Sequence, residues 1–345
     1  MTLMTPLTHE RVTMVAGART GLPVIVAVHS TALGQAVGGC RLWHYESWLE
    51  GVDDALRLSS AMTLKAALSG LPVGGGKSVI ALPLGFELTP SVRRDVMLDL
   101  GDVIASLGGL YGVGEDVGTT AEDMLVIRER TEFAYGLPVA NGGMGETSEP
   151  TAVGVYESIK VTAQQLWGSA DLAGRRATII GLGQVGHRLA QLLCADGAKV
   201  AATDIDPAKR ELGLDWLSAE DALTQETDLL IPAALGGLLT RQTVEQLQCR
   251  AIIGPANNQL ASDDVAAELA ARGIVWVPDF LVNAGGVVYG ANIELMDKTH
   301  NEAMVPVRAI ADTLRDVFAR AEQDGTTLLA AAATIADARI AAARA

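Results

Sequence analysis

Two rhythms of apolar and polar positions run along the chain. In the first half, short β-branched runs alternate with long amphipathic stretches. Leu22–Ser30 (LPVIVAVHS) and Lys77–Leu82 (KSVIAL) predict strands. Trp48–Ser69 carries apolar residues at helical spacing, with Asp53, Asp54 and Arg57 on the opposite face, and predicts a helix. Thr89–Leu107 predicts another, with Thr89 as N-cap and Pro90 at the first helical position, where a missing N–H costs nothing. Thr120–Glu129 begins a third, with acids in its first turn. From about Gly174 the rhythm changes to short apolar strands separated by helices. The strands are Ala177–Gly181, Lys199–Thr203, Leu229–Pro232, Ala251–Gly254 and Ile274–Val277. That alternation predicts an α/β fold whose second part is a parallel, doubly wound sheet. Between the two rhythms, Leu137–Pro150 (LPVANGGMGETSEP) is rich in Gly, Pro and polar residues and reads as a hinge. The alanine-rich tail Ala330–Ala345, with Arg339 and Arg344 among the alanines, reads as a helix.

Composition adds limits. A length of 345 residues suggests two domains, and 49% hydrophobic residues are enough for two cores. Charges and glycines interrupt every apolar run before the roughly 18 residues of a membrane span. The N-terminal stretch has no basic segment followed by an apolar block, so a secretory signal is not expected. Cys40, Cys194 and Cys249 form no CxxC pair, and the five histidines show no metal-ligand spacing. Neither a disulfide framework nor a metal site is expected, and the chain reads as reduced and cytoplasmic. A net charge of −15 argues against nucleic acid and an anionic membrane surface, since both need a basic footprint. A small anionic ligand, which needs only a local positive site, stays open.

Candidate chemistry begins with Gly181-Leu-Gly183-Gln184-Val185-Gly186, which follows the strand ATII and opens the helix HRLAQLLCADG. GxGxxG alone is a weak pattern in a chain with 37 glycines, but here both flanks are right. The first glycine permits the tight turn, the second lets a pyrophosphate approach the backbone, and the third lets helix and strand pack closely. The helix N-terminus then presents unpaired N–H groups to the phosphates. Asp204, about 20 residues on at the end of the next strand, can accept from the adenosine ribose hydroxyls and would repel a 2′-phosphate, which favours NAD over NADP. Ile205 beside it, and Ala233 after a later strand, complete the near side of the expected cofactor site.

Two lysines stand in Met62-Thr-Leu-Lys65 and in Leu71-Pro-Val-Gly-Gly-Gly-Lys77, the latter read as a glycine turn between apolar strands. A phosphate loop needs a glycine at the position of Leu71, so no nucleotide triphosphatase is indicated. With these lysines go Gly38-Gly39-Cys40-Arg41, Glu115-Asp116-Val-Gly-Thr-Thr120, Ala256-Asn257-Asn258-Gln-Leu260 and Asn283-Ala-Gly-Gly286. In this order, along most of the chain, these blocks resemble the leucine, valine, phenylalanine and tryptophan dehydrogenases, amino-acid dehydrogenases related to glutamate dehydrogenase.

The resemblance implies a substrate-binding, catalytic and oligomerising domain over residues 1–140, to which a C-terminal helix (about 310–345) returns. It implies an NAD domain over 141–309, with the substrate cleft between the two. It places Lys65 on the substrate carboxylate and Lys77 at the amine and the hydrolytic water, with Asp116 as proton relay. Gly38 and Gly39 fall in the substrate site. Asn258 helps hold the carboxylate, with Asn257 at the cofactor ribose, and Asn283 and Thr151 reach the nicotinamide. The expected partners are an amino acid or 2-oxo acid, ammonia and further copies of the same chain. The chemistry asks for such a set independently. Hydride transfer from Cα needs a fixed carboxylate and a deprotonated amine. A second, buried lysine close to the first would have a lowered pKa through like-charge repulsion and burial, and so could act as a base near neutral pH.

The side-chain pocket can be read in the same way. Glutamate dehydrogenases have a lysine for the substrate's second carboxylate where this chain has Val37, so glutamate is not the expected substrate. Gly114 and Gly290 stand where branched-chain enzymes have alanine and, three residues after Val287, valine. Both changes remove volume and point to a bulky or aromatic substrate. A branched-chain enzyme and one for a non-proteinogenic amino acid remain the alternatives. A non-catalytic NAD-binding relative would be expected to lack a lysine or the aspartate, yet Lys65, Lys77 and Asp116 are all present. Cys40 stands where many relatives have threonine; a thiol exposed there near the cleft could be oxidised, and the sequence leaves its redox sensitivity open.

Overall fold

The computed structural model of the chain describes residues 7–344. Residues 1–6, where the reading for a secretory signal starts, and Ala345 of the C-terminal tail lie outside that range. The chain divides into two compact units, one running to Gly145 and taking in the chain from Ala336 onward, the other formed by Glu146–Ile335.

The first unit is built on a mixed sheet of β1 (Arg11–Ala16), β2 (Pro23–Ser30), β3 (Ala36–Tyr45), β4 (Gly74–Pro83) and β5 (Tyr111–Glu115), in the order β1-β2-β4-β3-β5. β3 is parallel to β4 and to β5, whereas β2 is antiparallel to β4. Helix α1 (Trp48–Leu68) covers one face, where Ile25, Ala27, Tyr45, Ala55, Val79 and Ala81 form a small core. Helices α2 (Pro90–Ser106) and α3 (Ala121–Arg128) enclose a larger core on Val26, Cys40, Ile80, Met97, Ile104, Tyr111 and Met124. The strand period of two therefore splits β4: Lys77 and Val79 look towards α1, and Ser78 and Ile80 the other way.

The helix starts follow their caps. Ser47 accepts from Leu49 N at the head of α1, Thr89 from Val92 N at α2, and Thr120 with Asp123 forms a reciprocal capping box at α3. The run Gly74–Gly76, expected as a turn, is instead the first part of β4, paired on both sides. Glycine disfavours strands, but here close packing demands it. A Cβ on Gly75 would lie 2.2 Å from Thr63 N of α1, and one on Gly76 would lie 2.5 Å from the Tyr111 ring.

The second unit opens with α4 (Ser148–Trp167) and continues as β6 (Arg176–Ile180), α5 (Gln184–Ala195), β7 (Lys199–Thr203), β8 (Asp215–Trp216), α6 (Ala219–Thr224), β9 (Thr227–Pro232), α7 (Arg241–Gln246), β10 (Cys249–Ile252), α8 (Asp264–Ala271) and β11 (Val275–Trp276). Its six strands are all parallel, in the order β11-β10-β9-β6-β7-β8. Strand order reverses between β6 and β9, which is where a doubly wound sheet opens a crevice for a ligand. Helices α9 (Asp279–Val282), α10 (Gly285–Glu294), α11 (His300–Arg308) and α12 (Ile310–Asp324) follow, and Gly325, in the left-handed region at φ 63°, ends α12. In α13 (Leu328–Arg344), Arg339 donates to the Ala67 and Leu68 carbonyls at the end of α1. Among the described residues no single helix is long and apolar enough to cross a membrane.

Candidate active site

In the first unit, β3, β4 and β5 bring six of the singled-out residues, Val37, Gly38, Gly39, Lys77, Gly114 and Asp116, to one place. Lys77 is 5% exposed, in the middle of β4, and its Nζ lies 2.8 Å from Asp116 Oδ2. Asp116 follows directly on β5, with its backbone N–H donating to Thr119 Oγ1, whose hydroxyl reaches the Cys40 carbonyl. Gly39, paired in register with Gly114, lies beneath the turn. A Cβ on Gly39 would sit 2.5 Å from the Glu115 carbonyl oxygen and 2.7 Å from Asp116 Cβ, so Asp116 can stand there only above a glycine. Gly114 is the contrary case: the nearest atom to a Cβ there would be the Tyr135 carbonyl oxygen, 3.9 Å away, and the space beside it is open. Half-buried Val37, on the same ladder opposite Gly75 and Gly112, presents no charge. Lys65 lies on α1, two residues after the Thr63 that packs on Gly75, and is half-buried. Gly38 is buried in β3, its carbonyl accepting from Tyr111 OH.

Burial and the neighbouring charges of Asp116 and Arg41 set the electrostatics of Lys77. Burial lowers its pKa from the ordinary lysine value; the Asp116 carboxylate pulls it back up, and the Arg41 guanidinium lowers it again. Arg41 thus supplies a like charge beside Lys77 that the sequence did not point to. For Asp116, burial raises the pKa, but Lys77 and Arg41 outweigh it and hold the carboxyl below its usual range. Each pKa unit in such a balance corresponds to about 1.4 kcal/mol. Arg41, whose Nε donates to Asp116 Oδ2 at 3.2 Å, had no assigned role in the sequence, although it closes the Gly38–Arg41 block. The question left open at Cys40 is answered by its place: it is fully buried, with its thiol pKa pushed up to about 12 by burial, so it is neither exposed nor readily oxidised.

In the second unit the glycine-rich turn sits at the β6–β9 switch point. Gly181, at φ 105°, takes a conformation that a side chain would strain, and a Cβ on Gly186 would meet the Gly181 carbonyl at 2.0 Å. Gly183 is exposed, with nothing within 4 Å of a Cβ, and it caps α5 without a side-chain bond, leaving the first N–H groups of the helix open, with Gln184 and Val185 in that first turn. The Asp204 carboxylate accepts from Leu182 N at 2.6 Å and from Asp206 N at 2.8 Å, which turns it towards the glycine loop with a lone pair left on each oxygen. Ile205 and Leu235 are fully or largely exposed on either side of the switch point; Leu235 escaped the sequence reading. Ala233 N donates to the Ile180 carbonyl and holds the two strand ends together.

Around Asn283 a second group assembles in the same unit. Its Nδ2 donates to Asn257 Oδ1 at 2.8 Å and to the Pro255 carbonyl, while its buried Oδ1 has no hydrogen-bond partner among the described residues. Such an acceptor suits the amide N–H of a ligand. Asn258 is exposed and left-handed at φ 53°, held from behind by fully buried Gln259, whose amide donates to the Gly254 and Ala256 carbonyls. Gly286 of α10 packs against Thr151 of α4, whose hydroxyl donates to the Thr147 carbonyl and keeps its lone pairs free to accept. Val287 and Gly290 lie on α10, the first half-buried, the second buried.

Residues 7–133 match the dimerisation domain of the Glu/Leu/Phe/Val dehydrogenases, and residues 204–345 match the glutamate/leucine/phenylalanine/valine dehydrogenase domain. The chain belongs to this family. It is an NAD(P)-dependent amino-acid dehydrogenase. The dehydrogenase is 40% identical over 344 residues to a valine dehydrogenase of Streptomyces coelicolor, which covers 97% of this chain and 93% of that one. It is 37% identical over 342 residues to a phenylalanine dehydrogenase of Bacillus thermotolerans, covering 96% and 88%. Among solved structures it resembles an L-tryptophan dehydrogenase from Nostoc punctiforme, with a TM-score of 0.84, 32% identity, and 98% and 97% of the two chains covered.

Proposed function

We propose that this dehydrogenase uses NAD to oxidise an apolar L-amino acid with a bulky or aromatic side chain to its 2-oxo acid and ammonia, and catalyses the reverse reductive amination. The observation that carries the reading is the buried Lys77–Asp116 pair above Gly39. In this reading the first unit supplies the acid–base groups and the second holds the cofactor. The residues at the switch point fit a dinucleotide: open N–H groups at Gly183, a close approach at Gly186, and a carboxylate at Asp204 that disfavours a 2′-phosphate. Bound there, NAD accepts the hydride. Asn257, Asn283 and Thr151 would hold its nicotinamide side, with the free Asn283 acceptor taking a carboxamide N–H.

The chain's own residues do the rest. Lys65 neutralises and fixes the substrate carboxylate beside the Gly38–Gly39 backbone, and the side-chain amide of Asn258 donates a hydrogen bond to it. Lys77, with its proton loosened by burial, accepts one from the substrate ammonium, so that the nitrogen lone pair can form the C=N bond as the Cα–H electrons leave. Water then adds to that carbon. Asp116 takes the proton the water gives up and passes it to the nitrogen; as the C–N bond breaks, the proton of the new hydroxyl returns to Asp116, leaving ammonia and the 2-oxo acid. We assign the working protein to the cytoplasm as a homo-oligomer, assembled through the segment that matches the family's dimerisation domain.

A branched-chain enzyme is the second reading, favoured by the similarity to valine dehydrogenase. Gly114 discriminates. Filling its open space with a methyl group should leave the fold intact, because nothing lies closer than 3.9 Å. Gly114→Ala is expected to lower kcat/KM for phenylalanine and tryptophan by about tenfold while sparing valine, in line with the 1–3 kcal/mol a methylene is worth in a pocket. An unchanged ranking of substrates would count against the enlarged pocket. The cofactor reading is tested alongside it: comparable kcat/KM with NADP and NAD would contradict the role given to Asp204.

A further inference from the structure

The pair Lys77–Asp116 does not stand alone. Arg41, on the same face of β3, lies across the ladder from Val79 of β4. Its Nε donates to Asp116 Oδ2, the oxygen that Lys77 also engages, and its Nη1 donates to Asp54 Oδ2 of α1 at 2.9 Å. Asp54 is itself held by Tyr45 OH at 2.9 Å and by Arg57 Nη2 at 2.9 Å. Three cations and two carboxylates thus alternate from the surface of α1 to the buried lysine: Arg57, Asp54, Arg41, Asp116, Lys77. Arg41 is 18% exposed at its side chain, too enclosed for a solvated surface charge.

We infer that Arg41, anchored by Asp54 and Tyr45, is a positioning residue of the catalytic pair, aiming the Asp116 carboxylate at Lys77 and dividing its charge between two cations. The inference deepens the function proposed above and rests on it. A carboxylate paired with Lys77 alone would hold the lysine in its charged form, whereas one shared with a guanidinium holds it less tightly. The two-pronged, planar Arg side chain can bond Asp54 and Asp116 at once, which a lysine with its single nitrogen cannot do in the same geometry. The remaining groups facing the pair do not substitute for it. Cys40 and Tyr45 on β3 and Tyr111 on β5 have raised pKa values and stay neutral, Asp123 of α3 is engaged by Arg93, and Lys65 of α1 is present in every variant compared, so it does not account for a difference between them.

The test is the pH profile of kcat/KM for Arg41→Gln and Arg41→Lys, with the Lys77 side chain followed in parallel by NMR of the [13C]lysine-labelled chain, its signal assigned by loss in Lys77→Ala. Arg41→Gln is expected to shift the acidic limb, and the Lys77 titration with it, upward by about one pH unit, an effect of the size a single close charge has on a neighbour. Turnover would fall about tenfold near neutral pH and recover towards alkaline pH. Arg41→Lys keeps the charge and should return the limb to its place, while kcat stays reduced. A uniform loss of activity with the limb and the Lys77 titration unmoved would overturn the proposal and leave Arg41 a structural residue. If Arg41→Gln does not fold, Asp54→Asn removes the anchor and keeps the guanidinium; unchanged kcat and Lys77 titration there would overturn it equally. The NMR titration needs no turnover, so a chain inactive on every amino acid would refute the proposed function without touching the role of Arg41.

Discussion

Lys77→Ala is expected to lower kcat by about 10²–10⁴, the contribution of a positioned general base, while NADH still binds. The substitution removes the buried ammonium, but Asp116 keeps Arg41 as a partner, so the carboxylate is not stranded without a counter-charge. Stability should accordingly fall only moderately. The residues proposed to hold the cofactor, Gly181–Gly186, Asp204 and Asn283, belong to the other unit and are untouched. NADH binding by fluorescence and turnover by absorbance separate the two effects. Turnover within tenfold of wild type would remove Lys77 from the mechanism, and loss of NADH binding would show that the functions are not divided between the units.

Gly39→Ala is expected to lower kcat by about 10² without moving KM as far. The methyl group would press on the Glu115 carbonyl and on Asp116 Cβ, and β3 cannot retreat, being paired to β4 and β5. The turn bearing Asp116 has to shift instead, and a misplacement of about 1 Å at a reacting group costs on that order. Overpacking of this kind also costs about 1–3 kcal/mol, visible as a lower Tm. Gly114→Ala, its register partner with open space, is the built-in control and should keep its Tm. Wild-type kcat in Gly39→Ala would mean that Asp116 does not need its observed place.

The sequence was most legible where chemistry and local structure coincide. GLGQVG between a strand and a helix, with Asp204 after the next strand, can be read from spacing alone, since turn, phosphate approach and helix dipole all belong to one short segment. Ordered blocks singled out Lys65, Lys77 and Asp116, and the fold brings the last two into an ion pair. What escaped depends on contacts distant in sequence. β3 was missed because AVGGCRLWHY has two glycines and no clean alternation, yet those glycines are what let Asp116 and the Gly76 backbone come close. Gly74–Gly76 looked like a turn because only α1 and Tyr111, far along the chain, show why a strand there lacks side chains. Arg41 gave no signal of its role, since its partners Asp54 and Asp116 stand 13 and 75 residues away. The exposure of Cys40 stayed open because only the unread strand β3 shows that its position turns it into the core under α2 and α3.

The central claim is tested most directly by NADH formation at alkaline pH from NAD and a panel of L-amino acids: Val, Leu, Phe, Trp and Glu. Turnover led by phenylalanine or tryptophan, with glutamate inert, is the predicted result. Silence across the panel from a chain that binds NADH, or a lead by glutamate over the apolar amino acids, would contradict it.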